Sequence, residues 1–354
     1  MSCYILVINP GSTSTKVGVF DGETPVFEQT LRHSAEELAQ FATIPNQLNF
    51  RKQLILDAMV QHGFDIHNLA AVTGRGGPVK PLLSGTYNIN EDMLAECRNP
   101  KRGHHAACLG AMIAHEIAGS LGVPSFIVDP PVVDERQKIA LYTGHPMFER
   151  ISIFHALNQK AVAKRHAKSL GKRYEDLNLV VCHMGGGISI GAHCKGRVID
   201  VNNSLNGDGP FSPDRSGTLP MIDIIKLCFS GEYTQAEVEK IVCGNGGLLA
   251  YTGTTNMIEL TERAKTEEKI AEVLAAFHYQ IAKEIGAMAV ALGGQVDGIL
   301  LTGGIAYGKE TVEAIRAQVE WIAPVTAYPG EDELLALAQG TLRVLQGEEE
   351  AKEY

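Results

Sequence analysis

Short apolar runs that end in glycine alternate along this chain with longer segments of helical periodicity. The apolar runs predict strands at Tyr4–Ile8, Lys16–Phe20, Pro25–Thr30, Ala70–Thr73, Ser125–Val128, Leu179–Cys182, Ile188–His193, Arg197–Val201 and Gly298–Thr302. The periodic segments predict helices at Ala35–Ala42, Gln47–His62, Gly103–Leu121, Ile153–Leu170, Met221–Phe229, Thr234–Cys243, Glu259–Ala291, Lys309–Trp321 and Asp332–Gln346. Strands that alternate with helices are typical of α/β proteins with parallel or mixed sheets. The sequence therefore predicts an α/β fold that ends in a frayed, solvated acidic tail at Glu348–Glu353.

A strand–turn–strand pattern occurs twice, and its turn glycines have equal spacing in the two copies. Each copy consists of a strand, a polar glycine turn, a second strand and a further glycine turn into a third strand. The matching glycines are Gly11 with Gly185 and Gly22 with Gly196. Later in each half, a strand enters a Thr-Gly pair, at Thr73 and at Thr302. Two coincidences in the same order predict a duplicated domain with a cleft between the halves.

The charge and the cysteines disfavour several classes of protein. The 354 residues include 31 Lys+Arg and 41 Asp+Glu, a formal net charge of −10, whereas a nucleic-acid-binding protein needs a basic surface. The longest apolar stretches, such as Ile285 to Leu292, are too short for the roughly 20 residues of a membrane span. No basic region precedes the first apolar run, which indicates a strand rather than a signal peptide. None of the seven cysteines forms a C-x-x-C pair, so we expect reduced thiols in a cytoplasmic protein. From the charge and the apolar stretches, we expect neither a nucleic-acid nor a membrane partner.

The first glycine turn carries hydroxyl, glycine and basic residues at one strand end. It reads Asn9-Pro10-Gly11-Ser12-Thr13-Ser14-Thr15-Lys16. Backbone N–H groups beside small hydroxyl side chains and a cation suit phosphate oxygens, whereas an ordinary hairpin needs only a two-residue turn. We interpret this turn as a phosphate-binding loop, with a plain turn as the alternative. The candidate phosphate-binding residues are Gly11, Ser12, Thr13 and Lys16.

Two further glycine turns follow apolar strands. One reads His183-Met184-Gly185-Gly186-Gly187-Ile188-Ser189, and three consecutive glycines destabilise a chain unless something approaches the backbone closely. We interpret that neighbour as a ligand; a β-bulge and, for His183, a core histidine are the alternatives. The other runs from Thr302 through Gly303, Gly304 and Ile305 to Gly308-Lys309. It approaches a P-loop, but Glu310 replaces the Ser or Thr that binds Mg²⁺, which disfavours a P-loop ATPase and still allows a nucleotide on the glycine backbone.

Two arginines, an aspartate and a histidine complete the candidate site. Arg75 and Arg215 lie in Gly- and Pro-containing loops that hold a guanidinium in place, as clamping a carboxylate or a phosphoryl group requires. An exposed arginine on a turn is the alternative for each. Asp129 ends a predicted strand before two prolines, where carboxylates often hold a metal or a reacting group. The role of His155 stays open from the residues alone.

These motifs resemble those of the acetokinase family, which belongs to the superfamily of sugar kinases, actin and heat-shock chaperone ATPases. The resemblance runs in order from residue 3 to about 345 and rests on three segments, Val7-Ile8-Asn9-x-Gly11-Ser12-Thr13-Ser14-x-Lys16, His183-x-Gly185-x-Gly187-x-Ser189 and Leu301-Thr302-Gly303-Gly304-Ile305. It implies duplicated actin-like, ribonuclease H-like domains with mixed sheets flanked by helices. We expect an N-terminal domain of residues 1–128 plus about 335–354, and a C-terminal nucleotide-binding domain of residues 129–334.

The resemblance also implies an activity and the residues that carry it. The implied activity is reversible, ATP-dependent phosphorylation of a short-chain fatty acid carboxylate by a homo-oligomer, with ATP/ADP and Mg²⁺ as cofactors. The implied catalytic residues are Arg75, Asp129, His155 and Arg215. The implied phosphate and adenosine loops are residues 185–187, with His183, and residues 303–305. Asn9 and Glu331 are expected to position Mg²⁺ and phosphate, with Glu333 as the alternative to Glu331.

Three departures bear on the acid that is phosphorylated. Gly186 stands where acetate kinases carry asparagine, and the chain is shorter than acetate kinases usually are. The loop of Arg75 reads Thr-Gly-Arg-Gly-Gly rather than a His-Arg pair followed by a longer stretch. These departures favour the branch of the family that acts on butyrate and on branched short-chain acids, with acetate or propionate as the second choice. A non-metabolic ATPase of the actin or chaperone type is the alternative outside metabolism. Arginines near a γ-phosphate site and the lack of an added peptide-binding domain disfavour it.

Overall fold

The protein divides into two compact units. A computed structural model describes residues 2–101 and 105–354. The first unit comprises Met1–Asp134 and Asp332–Tyr354, and the second comprises Glu135–Glu331. These bounds lie a few residues from those expected from the sequence. Residues 129–134 stay with the first unit because the backbone of Leu82 pairs with Val132 and Asp134.

The first unit contains a six-stranded mixed sheet. Its strands are β1 (Tyr4–Pro10), β2 (Ser14–Asp21), β3 (Thr24–Arg32), β4 (Leu69–Gly74), β5 (Thr86–Asn88) and β6 (Ser125–Val128). Their order is β3-β2-β1-β4-β6-β5. Strands β1, β2 and β3 are antiparallel neighbours, whereas β4 is parallel to β1 and β6 is parallel to β4. The first glycine turn therefore connects β1 and β2 at one end of this sheet.

The second unit repeats this topology with different residues. Its strands are β7 (Asn178–Met184), β8 (Ile188–Cys194), β9 (Arg197–Val201), β10 (Gly298–Gly303) and β11 (Val325–Pro329). Their order is β11-β10-β7-β8-β9, with antiparallel β7–β8 and β8–β9 pairs and parallel β7–β10 and β10–β11 pairs. The same order and directions relate β6, β4, β1, β2 and β3. The turns at Gly11 and Gly185 thus occupy equivalent positions, as the repeat in the sequence predicted.

Helices cover both sheets. They are α1 (Ala35–Ala39), α2 (Leu48–Gln61), α3 (Glu91–Arg98), α4 (Cys108–Leu121), α5 (Ala156–Ser169), α6 (Met221–Cys228), α7 (Gln235–Val242), α8 (Gly247–Thr252), α9 (Met257–Arg263), α10 (Glu268–Ala291), α11 (Lys309–Val319) and α12 (Glu333–Leu345). Gly103, the predicted start of the helix before Leu121, lies outside the described residues. The single helix predicted over Glu259–Ala291 is wrong, because the backbone of Glu267 is extended and separates α9 from α10.

Each unit has its own apolar core. In the first, alternate residues of β1 such as Leu6 and Ile8 pack with Ile55 of α2 and Ile113 of α4, as the two-residue period of a strand dictates. In the second, every residue of β7 and β10 is buried, because these central strands are covered on both faces. Both cores hold the strand ends, where the glycine turns lie, in fixed positions.

The acidic tail is ordered along the sheet of the first unit, so the expectation of a frayed helix end is wrong. Lys352 pairs with the backbone of the edge strand β5: its N–H donates to Thr86 and its carbonyl accepts from Asn88. The Glu349 side chain accepts from the Thr86 N–H, and the Tyr354 hydroxyl bonds to Glu96. An edge strand offers unpaired backbone groups, and the tail satisfies them here.

Within the described part of the chain, no helix combines the length and the apolar character that crossing a membrane requires.

Candidate active site

A buried arginine holds the first glycine turn. Arg51 of α2 is 1% exposed, and its Nη1 donates to the carbonyls of Gly11 (2.7 Å) and Ser14 (3.1 Å). Its Nη2 donates to the carbonyl of Ser12 (3.1 Å), and the Gln47 amide oxygen accepts from both Nη2 and Nε. Burial lowers the pKa of Arg51, yet the guanidinium remains charged because an arginine pKa starts so high. The turn therefore directs its carbonyls toward a fixed cation, while the side chain of Ser12 stays exposed.

The motifs in the sequence did not reveal Arg51. The available signal was its position on α2, since Arg51, Ile55, Ala58 and Met59 share the spacing of one buried helix face. A charged residue on such a face is expected to have a specific partner.

Arg75 and Glu333 lie next to Asn9 at the end of β1. Asn9 Nδ2 donates to Glu333 Oε2 at 2.6 Å, and Arg75 Nη2 lies 3.4 Å from Glu333 Oε1. Arg75 is 9% exposed, and its Nη1 has no hydrogen-bond partner among the described residues. Lys16, the register partner of Asn9 on β2, is exposed. Asn9, Arg75 and Glu333 form one cluster, in which Arg75 Nη1 lacks a hydrogen-bond partner among the described residues.

Asp129 follows β6 in a strained backbone conformation. Its φ of 39° lies in the left-handed region, which non-glycine residues adopt at a cost of about 1–3 kcal/mol. Its Oδ1 accepts hydrogen bonds from Ser84 Oγ (2.6 Å) and from the Gly85 N–H (2.8 Å). Such strain persists where surrounding contacts impose it, and it is frequent at functional sites.

In the second unit, two histidine rings stack against each other at the end of β7. The centroids of His155 and His183 are 3.7 Å apart, and their planes differ by 9°. Nδ1 of His155 lies 2.8 Å from Ser189 Oγ, and Nδ1 of His183 lies 2.7 Å from Asn158 Oδ1. Nε2 of His183 lies 3.0 Å from Glu331 Oε1. The sequence-predicted histidines are therefore adjacent, and each is oriented by a neighbouring polar side chain.

Arg215 packs directly on the second glycine turn. A Cβ at Gly187 would lie 1.9 Å from Arg215 Nη1 and 2.9 Å from the Ser204 carbonyl, so glycine alone fits this position. Arg215 Nη1 donates to the Ser204 carbonyl, whereas Nε has no hydrogen-bond partner within the described chain. The Ser212 hydroxyl donates to the Gly186 carbonyl at 2.6 Å. The loop that carries Arg215 is thus tied to the glycine turn.

The third glycine loop continues this surface of the second unit. Gly303 has a φ of 86°, and a Cβ there would lie 2.3 Å from the carbonyl oxygen of Met184. Gly304 is exposed and Ile305 is buried, so the loop offers backbone above an apolar base. Glu310 lies exposed in the first turn of α11. The close approach of β10 to β7 explains why Gly303 must be glycine.

The predicted residues are divided between the two units. The first unit contains Asn9, Gly11, Ser12, Thr13, Lys16, Arg75 and Asp129. The second contains His155, His183, Gly185, Gly186, Gly187, Arg215, Gly303, Gly304, Ile305 and Glu331. Glu333, the alternative to Glu331, is the residue that contacts Asn9. Among the residues that the structure describes, no three His, Cys, Asp or Glu side chains are grouped to hold a metal ion.

Solved structures define the class of protein to which this fold belongs. The fold matches an acetate kinase from Porphyromonas gingivalis with a TM-score of 0.80, over 97% of this chain and 100% of that chain, at 20% identity. A propionate kinase from Francisella tularensis matches with a TM-score of 0.74, over 96% and 98% of the chains, at 19% identity. The prediction of an actin-like α/β fold is confirmed.

The chain belongs to the acetokinase family. The model of that family matches residues 148–323. A protein named probable butyrate kinase from Clostridium botulinum is 54% identical over 355 residues, 100% of each chain. Butyrate kinase 1 from Clostridium acetobutylicum is 54% identical over 351 residues, 99% of each chain. The resemblance that the motifs indicated, including its butyrate-kinase branch, is therefore confirmed.

Proposed function

We propose that this protein phosphorylates the carboxylate of a short-chain fatty acid with ATP, reversibly, and that butyrate is its principal substrate. Full-length relatives named butyrate kinases support the substrate class. The observation that carries the proposal is the buried guanidinium of Arg75, with Nη1 unsatisfied within the described chain and Nη2 near Glu333. An unsatisfied buried donor costs free energy, so an anion that completes its hydrogen bonds is favoured there.

A carboxylate acceptor determines what the protein must supply. A fatty acid is ionised at neutral pH, so its oxygen attacks the γ-phosphorus of ATP without a general base. The bond between the γ-phosphorus and its bridging oxygen breaks, ADP leaves with the electron pair, and an acyl phosphate forms. The protein contributes positioning and charge neutralisation rather than proton transfer.

The residues of the two units take different roles in this proposal. Arg75 orients the carboxylate of the acid, and Asp129 orients groups around it rather than accepting a proton. Arg215 and His155 donate hydrogen bonds to the oxygens of the transferring phosphoryl group. The glycine loops at 185–187 and 303–305 bind phosphate and adenosine through backbone N–H groups, and residues 11–13 with Lys16 bind phosphate oxygens.

Mg²⁺ fits the pair formed by Asn9 and Glu333. Kinases hold this ion through one or two protein oxygens, while water and phosphate complete its coordination. Glu333 would supply a carboxylate oxygen, and the Asn9 amide, whose nitrogen donates to Glu333, would supply its oxygen. When bound, the ion neutralises charge on the nucleotide phosphates. We assign the metal to Glu333 because Glu333 contacts Asn9, whereas Glu331 contacts His183.

Substitution of Arg75 tests the proposal. We expect Arg75→Ala to lower kcat for butyryl phosphate formation by about 100-fold or more while the protein stays folded. The reaction is followed by trapping the acyl phosphate as its hydroxamate. Arg98→Ala is the matched control, since Arg98 is an exposed arginine paired with Glu91 in the same unit. Near-normal kcat in both Arg75→Ala and Arg215→Ala would refute the mechanism, and calorimetry that detects no ATP or ADP binding would refute the function.

The preference for butyrate is tested by the chain-length profile. The ratio of kcat/KM among acetate, propionate, butyrate and branched acids measures how the acyl pocket discriminates. One methylene changes transition-state binding by about 1–3 kcal/mol, so the preferred acid should exceed its neighbours roughly tenfold or more. A maximum at acetate or propionate would contradict the butyrate assignment and leave the kinase chemistry standing.

A homo-oligomer is part of the same proposal. Helix α6 of the second unit has no buried residue and exposes Met221 (70%), Ile222 (64%) and Ile225 (46%), followed by Phe229 (86%). Clustered exposed apolar side chains on one helix mark an interaction surface, and we assign this one to a second copy of the chain. Ile222→Glu combined with Phe229→Glu should lower the mass measured by light scattering. An unchanged mass in this variant would contradict the assignment.

The cysteines support a cytoplasmic location. Cys3, Cys97, Cys108, Cys182, Cys194, Cys228 and Cys243 are all free thiols. Free thiols are typical of reducing compartments, so we place the enzyme in the cytoplasm. Labelling the intact protein with a thiol reagent after rapid isolation checks this point.

A further inference from the structure

A chain of buried polar side chains lies in the second unit and ends at His155. The Tyr174 hydroxyl lies 2.6 Å from His193 Nδ1, and His193 Nε2 lies 2.9 Å from Gln159 Oε1. Gln159 Nε2 lies 2.9 Å from Ser189 Oγ, which lies 2.8 Å from His155 Nδ1. His193, Gln159 and Ser189 are completely buried, so their polar atoms depend on protein partners rather than on bulk water.

One backbone carbonyl fixes the direction of every proton in this chain. The Ser189 carbonyl oxygen lies 3.0 Å from the Gln159 side-chain amide and can only accept a hydrogen bond. The nitrogen of that amide therefore faces Ser189, and its oxygen faces His193. Hence His193 Nε2 donates to Gln159 Oε1, because an amide oxygen cannot donate.

The protonation of His193 sets the direction of its hydrogen bond with Tyr174. Complete burial and the nearby Lys160 ammonium hold the pKa of His193 well below its usual value. A neutral imidazole carries one N–H, which here lies on Nε2, so Nδ1 accepts from the Tyr174 hydroxyl. Glu135 forms an ion pair with Lys160 at 2.6 Å. Donation therefore runs from the Tyr174 hydroxyl to His193 and from His193 to Gln159.

At the other end, the hydrogen-bonded chain determines which ring nitrogen of His155 carries the proton. Ser189 Oγ accepts from Gln159 Nε2 and from the His155 backbone N–H at 3.3 Å. Its own proton is then directed to the remaining neighbour, His155 Nδ1. A nitrogen that accepts a hydrogen bond carries no proton, so the single proton of neutral His155 lies on Nε2.

The geometry points to Gln159 and Ser189 as positioning residues that hold His155 in its Nε2–H tautomer, so that this N–H donates to the transferring phosphoryl group. The inference rests on the proposed function for the identity of the phosphoryl group alone. Gln159 acts through Ser189 and touches neither the nucleotide nor the acid. A tautomer fixed before substrates bind offers a donor that needs no rearrangement during transfer.

The proton position is measured directly by nitrogen NMR on ¹⁵N-histidine-labelled, full-length protein, with His155→Asn used to assign the signals. We expect His155 Nδ1 to show the shift of an unprotonated imidazole nitrogen and Nε2 that of a protonated one. In Gln159→Met, Ser189 Oγ loses a donor and His155 is released to a mixture of tautomers. We expect kcat to fall by up to about 100-fold, with little change in KM for ATP. Ser189→Ala should produce the same change in tautomer.

The control is His166→Asn on the same helix. His166 is also a buried histidine that bonds a tyrosine, since its Nδ1 lies 3.0 Å from the Tyr328 hydroxyl, but it does not contact the chain that ends at His155. Its substitution should leave the His155 signals and kcat unchanged. A wild-type spectrum with the proton on Nδ1 would overturn the inference without any variant, and so would an unchanged tautomer in folded Gln159→Met. If wild-type protein forms no acyl phosphate, the proposed function fails, while the spectrum still decides the proton position.

Discussion

Replacement of Arg51 tests whether the first glycine turn owes its shape to one buried cation. Arg51 donates to the carbonyls of Gly11, Ser12 and Ser14, and these three bonds pull the turn toward α2. Arg51→Met removes the charge and all donors while it retains most of the side-chain volume. We expect the turn to lose its conformation and phosphate binding to weaken with it.

The three carbonyl contacts set the magnitude of the effect. A hydrogen bond to a charged group contributes about 1.5–3 kcal/mol, so three such bonds give at least about 4.5 kcal/mol. Water can reach part of the turn after the substitution, and removal of a buried charge returns its desolvation cost, so we expect a loss near this lower value. A domain has about 5–15 kcal/mol of stability, so the variant should still fold.

The assay compares Arg51→Met with Lys52→Met, the same chemical change at the next residue of α2. Lys52 forms a partly exposed ion pair with Glu116, worth about 0–1 kcal/mol. Urea unfolding followed by circular dichroism gives the stability difference, and steady-state kinetics gives kcat/KM for ATP, which we expect to fall at least tenfold for Arg51→Met alone. Arg51→Lys keeps the charge without the planar fork and should fall between the two. Equal unfolding curves and equal kcat/KM for Arg51→Met and Lys52→Met would refute the reasoning.

Three further predictions concern other buried groups. Burial, with Asp208 and Asp200 nearby, raises the pKa of Glu284 from 4.5 to about 7, so folding favours its protonated form and loses stability as pH rises through this interval. Glu284→Gln should therefore stabilise the protein by up to about 3 kcal/mol at pH 8 and far less at pH 5. Urea unfolding at both pH values measures this difference. An equal effect at pH 5 and pH 8 would contradict the raised pKa of Glu284. Gly187→Ala must displace the Arg215 guanidinium and should lower kcat strongly. Gly286→Ala is the control, because a Cβ at this position of α10 meets no other atom, and its kcat should not change. Equal kcat in the two variants would argue against the packing of Arg215 on Gly187. Asp129→Asn keeps the acceptor for Ser84 and Gly85 but removes the charge, so kcat should fall while the thermal midpoint changes little, and unaltered kcat would exclude a role for the charge.

The sequence predicted most strands of both sheets and missed two of them. Strands β6 and β9 have the predicted bounds, because turn-forming residues flank each of them. Strand β5 was missed because it spans three residues, and β11 because it ends in a proline. Helix α3 was also missed, although Asn90 caps its first turn by accepting from the Met93 N–H. Local patterns are weak where an element is short and its partner is distant in sequence.

The candidate site shows the same division between local and distant information. The sequence treated the three glycines of the second turn alike, yet a Cβ would meet nothing at Gly186 and would collide with Arg215 at Gly187. It left Glu331 and Glu333 as alternatives for the metal-site carboxylate. The residues that they contact, His183 and Asn9, lie far away along the chain, so the local sequence does not distinguish the two. A motif identifies a glycine-rich turn, but the packing of remote segments decides which of its residues is essential.

The division of the chain also sets the order in which the protein is completed during translation. The second unit is an insertion between Asp134 and Asp332, so the ribosome finishes all of it before it makes α12. Yet Gly340 of α12 packs on Val128, Thr341 bonds to Thr73, and Glu333 carries the contacts to Asn9 and Arg75. The amino-terminal sheet therefore lacks the cover of α12 while the second unit is being synthesised. The contacts of Glu333 with Asn9 and Arg75 therefore form only after the whole second unit has been made.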